Sequence, residues 1–319
     1  MTRYLLRRLP SALLVLFGAS VLIFLLLRLV PGDPATILAG NDATPQSIAA
    51  IRHQLGLDRS IVAQYLSWIG DVLTLDLGRS YLIGGQIGDL VARGLTNTIV
   101  LTATALLLAV VTSLVLSVSS VLWPSRWLKS VIAAANTVSV ALPTFVTGPL
   151  LVLVFVIALP VLPAGGIPPD GFIARPDIAV QYLLLPAICL ALPVGAALTR
   201  FLTEALETEL AKPYVLTARS LGVSRWQIVT RGALRNALPT MLTALGIQTG
   251  NLLGGAVLVE AAFAWPGIGQ LIEQGISRRD YPVVQILLLL SVAVFVIIQL
   301  ITDIAHAWLD PRVRIGGRS

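Results

Sequence analysis

The sequence predicts an all-α integral membrane protein of six transmembrane helices, with a long extracytoplasmic segment after the first. Three observations carry this reading. Of 319 residues, 56% are hydrophobic and only 12% are charged, against about 25% charged in average soluble domains; mean hydropathy is +0.88. Six apolar stretches reach the roughly 20 residues that a membrane span requires. The basic residues fall unequally on the two sides that those spans define. This composition excludes a disordered chain and argues against a soluble enzyme.

The spans follow in order. Leu9–Val30 carries one charge, Arg28, near its end. Its apolar run is too long for a signal-peptide core, and no small-x-small cleavage site follows, so it reads as an uncleaved anchor. Gly94–Ser125 is uncharged and ends at Trp123-Pro124. Ser130–Pro169 is uncharged but too long for one helix, and Pro160 and Pro163 are placed to end it. Ile178–Thr199, Asn236–Val259 and Tyr281–Thr302 complete the set. Pro143, Pro186 and Pro193 are expected to kink the third and fourth spans. With the N-terminus inside, the inner segments hold 14 basic and 5 acidic residues, the outer ones 8 and 11. The Lys/Arg bias thus sets both termini of a multi-pass membrane protein in the cytoplasm. The net charge of +6 is spread over several segments beside spans, which argues for lipid and against nucleic acid. Cys189 is the sole cysteine, and His53 and His306 stand far apart, so no metal or redox centre is expected.

Residues 1–30 form the anchor helix, 31–93 the extracytoplasmic segment and 94–319 a five-helix core. In the outer segment, Thr44-Pro45 reads as a helix start and Gly56-Leu57-Asp58 as a break. Ser60 can cap a second, amphipathic helix bearing Ile61, Tyr65, Leu66, Ile69 and Leu73 on one face. That helix either lies on the membrane or packs in an extracytoplasmic subdomain. Inside, Arg200–Arg235 is basic and opens with Glu204, Glu207 and Glu209. Tyr214–Leu221 reads as a short helix stopped by Gly222, after which Ser224 caps a helix leading into the fifth span. Composition alone leaves this as a solvated loop or as a projecting helix–Gly–helix finger.

The loop carries a resemblance. Thr217-Ala218-Arg219-Ser220-Leu221-Gly222, followed by Ala233-Leu234-Arg235-Asn236-Ala237-Leu238-Pro239, resembles the cytoplasmic coupling loop of ABC-importer permeases, here residues 200–238. The wider pattern is Glu-Ala-Ala, three residues, Gly, nine residues, Ile-x-Leu-Pro. Leu216 stands for its Glu, Gly232 for its Ile and Arg235 for its Pro, departures typical of the peptide branch. Phe24–Pro34, Leu55–Asp58, Gln64-Tyr65, Leu75–Ser80, Leu142–Val146, Phe263–Gly269 and Arg279–Pro282 likewise resemble B-type subunits of dipeptide/oligopeptide permeases, over nearly the whole chain.

The resemblance implies the type I permease fold of ABC importers and an alternating-access pathway for peptides. It implies a heterodimer with a second permease subunit, two ATP-binding subunits and an extracytoplasmic substrate-binding protein. Tyr214, Thr217, Ala218, Arg219 and Gly222 would form the ATPase-coupling surface. The chain has no G-x-x-x-x-G-K-[ST] motif, so ATP and Mg would be bound by partners and this chain would hold no cofactor and catalyse nothing. Asn136, Thr144, Gln248, Asn251 and Glu260 are candidates for lining the path, or for bonding to neighbouring helices. Gly246, Gly250 and Gly254 form a small-residue stripe suited to close helix contact, within the subunit or with its partner. Relatives for nickel, glutathione or other small solutes share these motifs. An ion-driven secondary transporter would show internal repeats and midplane charges, and neither is evident.

Overall fold

The computed structural model describes residues 2–29, 33–40, 43–168 and 175–309. The helices are α1 (Thr2–Leu29), α2 (Pro34–Ala39), α3 (Pro45–Gln54), α4 (Ile61–Leu73), α5 (Ile87–Leu122), α6 (Arg126–Ala141) and α7 (Thr144–Val152). A π turn, Leu153–Ala158, extends α7. After it come α8 (Pro176–Leu210), α9 (Pro213–Ser220), α10 (Arg225–Ala262), α11 (Ile268–Arg278) and α12 (Tyr281–Leu309). Among the described residues the one β-type pairing is an isolated antiparallel bridge, Arg79 with Gln86. The chain forms two compact units, residues 1–97 with 266–297, and 98–265 with 298–319.

In the first unit the local signals act as read. Thr44 Oγ1 accepts from Ser47 N at 3.3 Å and starts α3. Ser60 Oγ accepts from Ala63 N at 3.3 Å and starts α4. Leu13, Leu14, Phe17 and Leu22 of α1 are exposed, as a lipid-facing helix requires. Tyr65 and Trp68 of α4 pack on Phe24 of α1, with ring centroids 5.4 and 5.9 Å apart. Ile87, Ile268, Ile272, Val283 and Leu287 form the unit's core. Asp280 ties two distant segments together before α12. Its Oδ2 accepts from Ser80 Oγ at 2.6 Å, Leu82 N at 3.0 Å and Ile83 N at 3.3 Å.

The second unit is organised around α8, which packs against α10, α6 and α7. Its core includes Leu101, Leu185, Leu198, Leu202, Leu206, Val229, Met241, Phe263 and Trp265. Cys189 is fully buried there, its Sγ 3.6 Å from the Thr144 carbonyl oxygen.

The third span ends at Ala158, just before Pro160, and bends at Pro143 as expected, though the bend is sharp enough to make two helices. It is a bent pair, α6 and α7, meeting at 109°. The break falls at Leu142-Pro143. Leu142 takes the extended ψ of 116° that a following proline favours, and Pro143 itself initiates α7. The pair nonetheless traverses the unit. At its start Lys129 Nζ meets Glu207 Oε1 at 2.6 Å, near the C-terminal end of α8. Beyond it, Gly166 N donates to the Phe263 carbonyl at 2.9 Å, at the far end of α10. Pro186 and Pro193, by contrast, leave α8 unbroken. Helix ends also outrun the apolar stretches. At 1.5 Å per residue, the 35 residues of α8 reach about 52 Å, past a hydrocarbon layer of about 30 Å. Glu204, Glu207 and Glu209 therefore belong to the last turns of α8 rather than to a loop, and α5 begins at Ile87, seven residues before the predicted span.

Candidate functional site: the finger between α8 and α10

α9 is the short helix anticipated between the fourth and fifth spans. Pro213 occupies its first turn, where a missing N–H costs nothing. At its other end Gly222 has φ +78°, which a side chain rarely tolerates. That turn lets Gly222 N reach the Arg219 carbonyl and Val223 N reach the Ala218 carbonyl, both at 3.0 Å. Ser224 then caps α10, its Oγ accepting from Gln227 N at 3.4 Å. A π turn, Ile228–Ala233, follows before the regular part of α10.

Two anchors hold the finger to the unit. The first is Glu209, which is 8% exposed although it lies ten residues past the apolar stretch. One carboxylate oxygen accepts from Lys212 Nζ; the other accepts from Tyr214 Oη at 3.2 Å and Asn236 Nδ2 at 3.4 Å. One side chain thereby joins α8, α9 and α10. The hydrogen bond from Lys212 holds the carboxyl below its ordinary range. The second anchor is Arg225, whose Nη2 and Nε donate to the Val121 carbonyl at 2.6 and 3.1 Å, the free end of α5. Neither anchor was read from sequence. The Glu209–Lys212 spacing of three residues was the available signal.

Of the five residues singled out, Tyr214 faces the base of the finger through Glu209. Thr217 and Arg219 are exposed and Ala218 is half-buried. Arg219 forms no ion pair among the described residues. Apolar side chains that sequence reasoning passed over dominate the surface: Leu216 is 70% exposed, Leu221 77% and Trp226 59%. Exposed apolar side chains that gather into one patch mark interaction surfaces. Glu209→Leu removes three hydrogen bonds, whereas Glu209→Gln retains an acceptor and costs about 1 kcal/mol. Amide exchange across Pro213–Ser220 in the assembled importer is expected to quicken slightly for the Gln variant and strongly for the Leu variant. Equal protection in both would remove the anchoring role.

The candidate path residues lie in separate places. Asn136 lines a groove of ≈610 Å³ between α6 and α8, with Thr137, Arg200, Thr203 and Glu204, and none of the other four does. Thr144 opens α7 just after the bend. Gln248 and Asn251 pair with each other along α10 at 3.1 Å. Glu260 is fully buried, and its Oε1 accepts from Thr98 Oγ1 at 2.6 Å.

Residues 105–315 match the family described as "Binding-protein-dependent transport system inner membrane component", and residues 1–87 match its N-terminal component. The chain is 34% identical over 314 residues to the "Glutathione transport system permease protein GsiC" of Escherichia coli (strain K12), covering 98% of this chain and 99% of that one. The same figures hold for GsiC of Salmonella typhi. Among solved structures, the inward-facing MetNI methionine ABC transporter aligns with a TM-score of 0.53 at 18% identity, covering 69% of this chain and 96% of that chain, which shows a shared fold. The chain belongs to the inner-membrane components of binding-protein-dependent transport systems: it is a multi-pass permease subunit of an ABC importer in the peptide/nickel family, a transport component that works with an ATPase and a substrate-binding protein.

Proposed function

We propose that this chain is one half of a heterodimeric permease that moves short peptides inward by alternating access, driven by two cytoplasmic ATPases that bind ATP and Mg. The observation that carries this is the finger: a helix turned by Gly222, braced at Glu209 and Arg225, and tipped with exposed Leu216, Leu221 and Trp226. Such a lever suits the transfer of motion from a soluble motor to the bundle. The chain itself lacks a phosphate-binding loop and performs no catalysis in this reading.

Orientation follows from charge. Counting the bent pair as one crossing puts the finger, with its six basic residues from Arg200 to Arg235, on the side of the N-terminus. Counting it as re-entrant would put them on the opposite side, against the positive-inside bias. The charge bias therefore supports the reading in which the N- and C-termini are both cytoplasmic.

In this reading the second permease subunit seats on α10. Ile247, Asn251, Gly254 and Leu258 are all exposed and recur at helical spacing, and a Cβ at Gly254 would meet nothing within 4 Å. The small-residue stripe therefore does not serve packing within this chain at Gly254. Asn136, Gln248 and Asn251 are the polar groups we place along the path, with Thr144 at its bend and Glu260 bracing its wall.

The relatives' name favours one particular cargo. Glutathione is itself a γ-linked tripeptide, so it sits inside the proposed chemical class and is the alternative most worth separating from α-peptides. Uptake into vesicles holding the complete importer is the test. We expect saturable, ATP-dependent accumulation of labelled di- to pentapeptides that unlabelled peptides suppress. Accumulation of glutathione alone, or of nickel alone, would replace the α-peptide assignment.

A further inference from the structure

In the unit of residues 1–97 and 266–297, a cavity of ≈560 Å³ opens between the last turns of α1, helix α4 and the start of α12. That volume falls in the range of small-molecule sites. Phe24, Arg28, Gln64, Trp68, Asp71 and Tyr281 are among its lining residues.

Its chemistry is unusually specific. Gln64 Nε2 donates to the carbonyls of Leu57 at 3.3 Å and Arg59 at 2.7 Å. Those two acceptors fix the amide orientation and leave Oε1 as an acceptor. Among the described residues that Oε1 is buried without a partner, and so is the Tyr281 hydroxyl. Buried polar atoms without partners are costly and uncommon. The Arg28 guanidinium lies 5.1 Å from the Phe24 ring centroid, and neither Arg28 nor Asp71 has an ion pair among the described residues. Beside the Arg52–Asp33 ion pair, the lining thus offers the Arg28 cation and the Asp71 carboxylate, with the Gln64 amide oxygen and the Tyr281 hydroxyl enclosed in its wall and reached when those side chains turn. An occupant that satisfies all four carries an anion and an N–H-bearing cation.

Position identifies the source of that occupant. The cavity starts where the apolar run of α1 gives way to Arg28, as a span does on reaching the polar edge of a bilayer. Tyr65 and Trp68 pack on Phe24 at the same level, in the manner of an interfacial aromatic belt. Ile61, Val62, Leu66 and Leu73 of α4 are exposed beside it, an apolar face suited to lie in a membrane surface.

We propose that this cavity binds the headgroup of an amine-bearing glycerophospholipid, phosphatidylethanolamine in chemical class. The phosphodiester accepts from the Arg28 guanidinium and the Tyr281 hydroxyl. The primary ammonium donates to Gln64 Oε1 and Asp71. A choline headgroup has no N–H to give and leaves Gln64 Oε1 unpaired; a glycerol headgroup has no charge for Asp71. The bound lipid fastens α4 to α1 at the membrane surface.

Native mass spectrometry of the assembled importer, titrated with ethanolamine, choline and glycerol phospholipids of identical acyl chains, tests this. The ethanolamine lipid is expected to be retained about tenfold better than either of the others, the worth of one hydrogen bond to a charged group. Gln64→Met is expected to bring ethanolamine and choline lipids level, and Arg28→Gln to weaken both. Intact subunit mass reports assembly, and should Arg28→Gln fail to assemble, Tyr281→Phe takes its place. Equal retention in the wild type, preference for the glycerol lipid, or variants without effect would overturn the proposal. Displacement by free phosphoethanolamine at equal concentration would overturn the lipid source. Displacement by a dipeptide would assign the cavity to transported solute.

Discussion

In the reconstituted importer, Gly222→Pro is expected to abolish the stimulation of ATP hydrolysis by loaded binding protein while the chain still inserts and assembles. Proline fixes φ near −65°, whereas this position sits at +78°. The turn cannot form, and the 3.0 Å bonds from Gly222 N to Arg219 and from Val223 N to Ala218 are lost with it. α9 then points elsewhere, though Glu209 and Arg225 still hold its two flanks. Coupling between distant sites in such assemblies spans roughly 5–150-fold, so substrate stimulation and uptake should fall together by on the order of tenfold or more. Gly222→Ala separates strain from geometry. A Cβ there meets nothing within 4 Å, so alanine carries only the cost of its left-handed φ, about 1 kcal/mol. Retained substrate stimulation in Gly222→Pro would sink the lever reading. A bulky side chain at half-buried Ala218 is expected to act in the same direction.

The largest loss of stability is expected at Gly165, far from the finger. A Cβ at this residue would stand 1.9 Å from the Phe263 carbonyl oxygen and 2.7 Å from its carbonyl carbon. Both are backbone atoms, so no rotamer relieves the clash. The neighbouring Gly166 N donates to that same oxygen at 2.9 Å, so any retreat also breaks a hydrogen bond. Phe263 and Trp265 are fully buried in the core beside it. Overpacking of this kind costs roughly 1–3 kcal/mol where side chains can yield, and more is expected here. Gly165→Ala should lower the thermal midpoint of the purified complex well below that of Gly70→Ala. The latter lies within α4 with open space around it, and alanine suits a helix better than glycine. Equal midpoints for the two variants would contradict the packing described.

The sequence made legible what short-range chemistry decides. Thr44, Ser60 and Ser224 each cap the helix they precede, because a cap is a contract between residues three apart. Gly222 was legible for the same reason. What stayed hidden depends on partners remote in sequence. Asp280 binds Ser80 across 200 positions, so Arg279–Pro282 could be recognised as a motif without its mechanical purpose showing. Glu209 looked like the start of a solvated loop, because hydropathy ends the fourth span at Thr199 while the helix continues to Leu210. Proline marked the break in the third span at Pro143 but could not by itself tell a break from an absorbed residue. Pro186 and Pro193 lie in a helix supported on several sides, and the unit absorbs them. At Pro143 the chain turns instead. Among the path candidates, Glu260 drew notice as an ionisable group near a span end. The structure places it fully buried and bonded to Thr98, an arrangement that hydropathy does not encode.

The burial of Cys189 has a practical corollary. The sole thiol of the chain sits fully enclosed beside the Thr144 carbonyl, where alkylating reagents have no access. The native sequence is therefore already silent to maleimides. A cysteine introduced at Leu216 or Leu221, 70% and 77% exposed, would be the one labelling site on this subunit, and its rate of modification would report directly, turnover by turnover, whether a motor domain is seated on the finger.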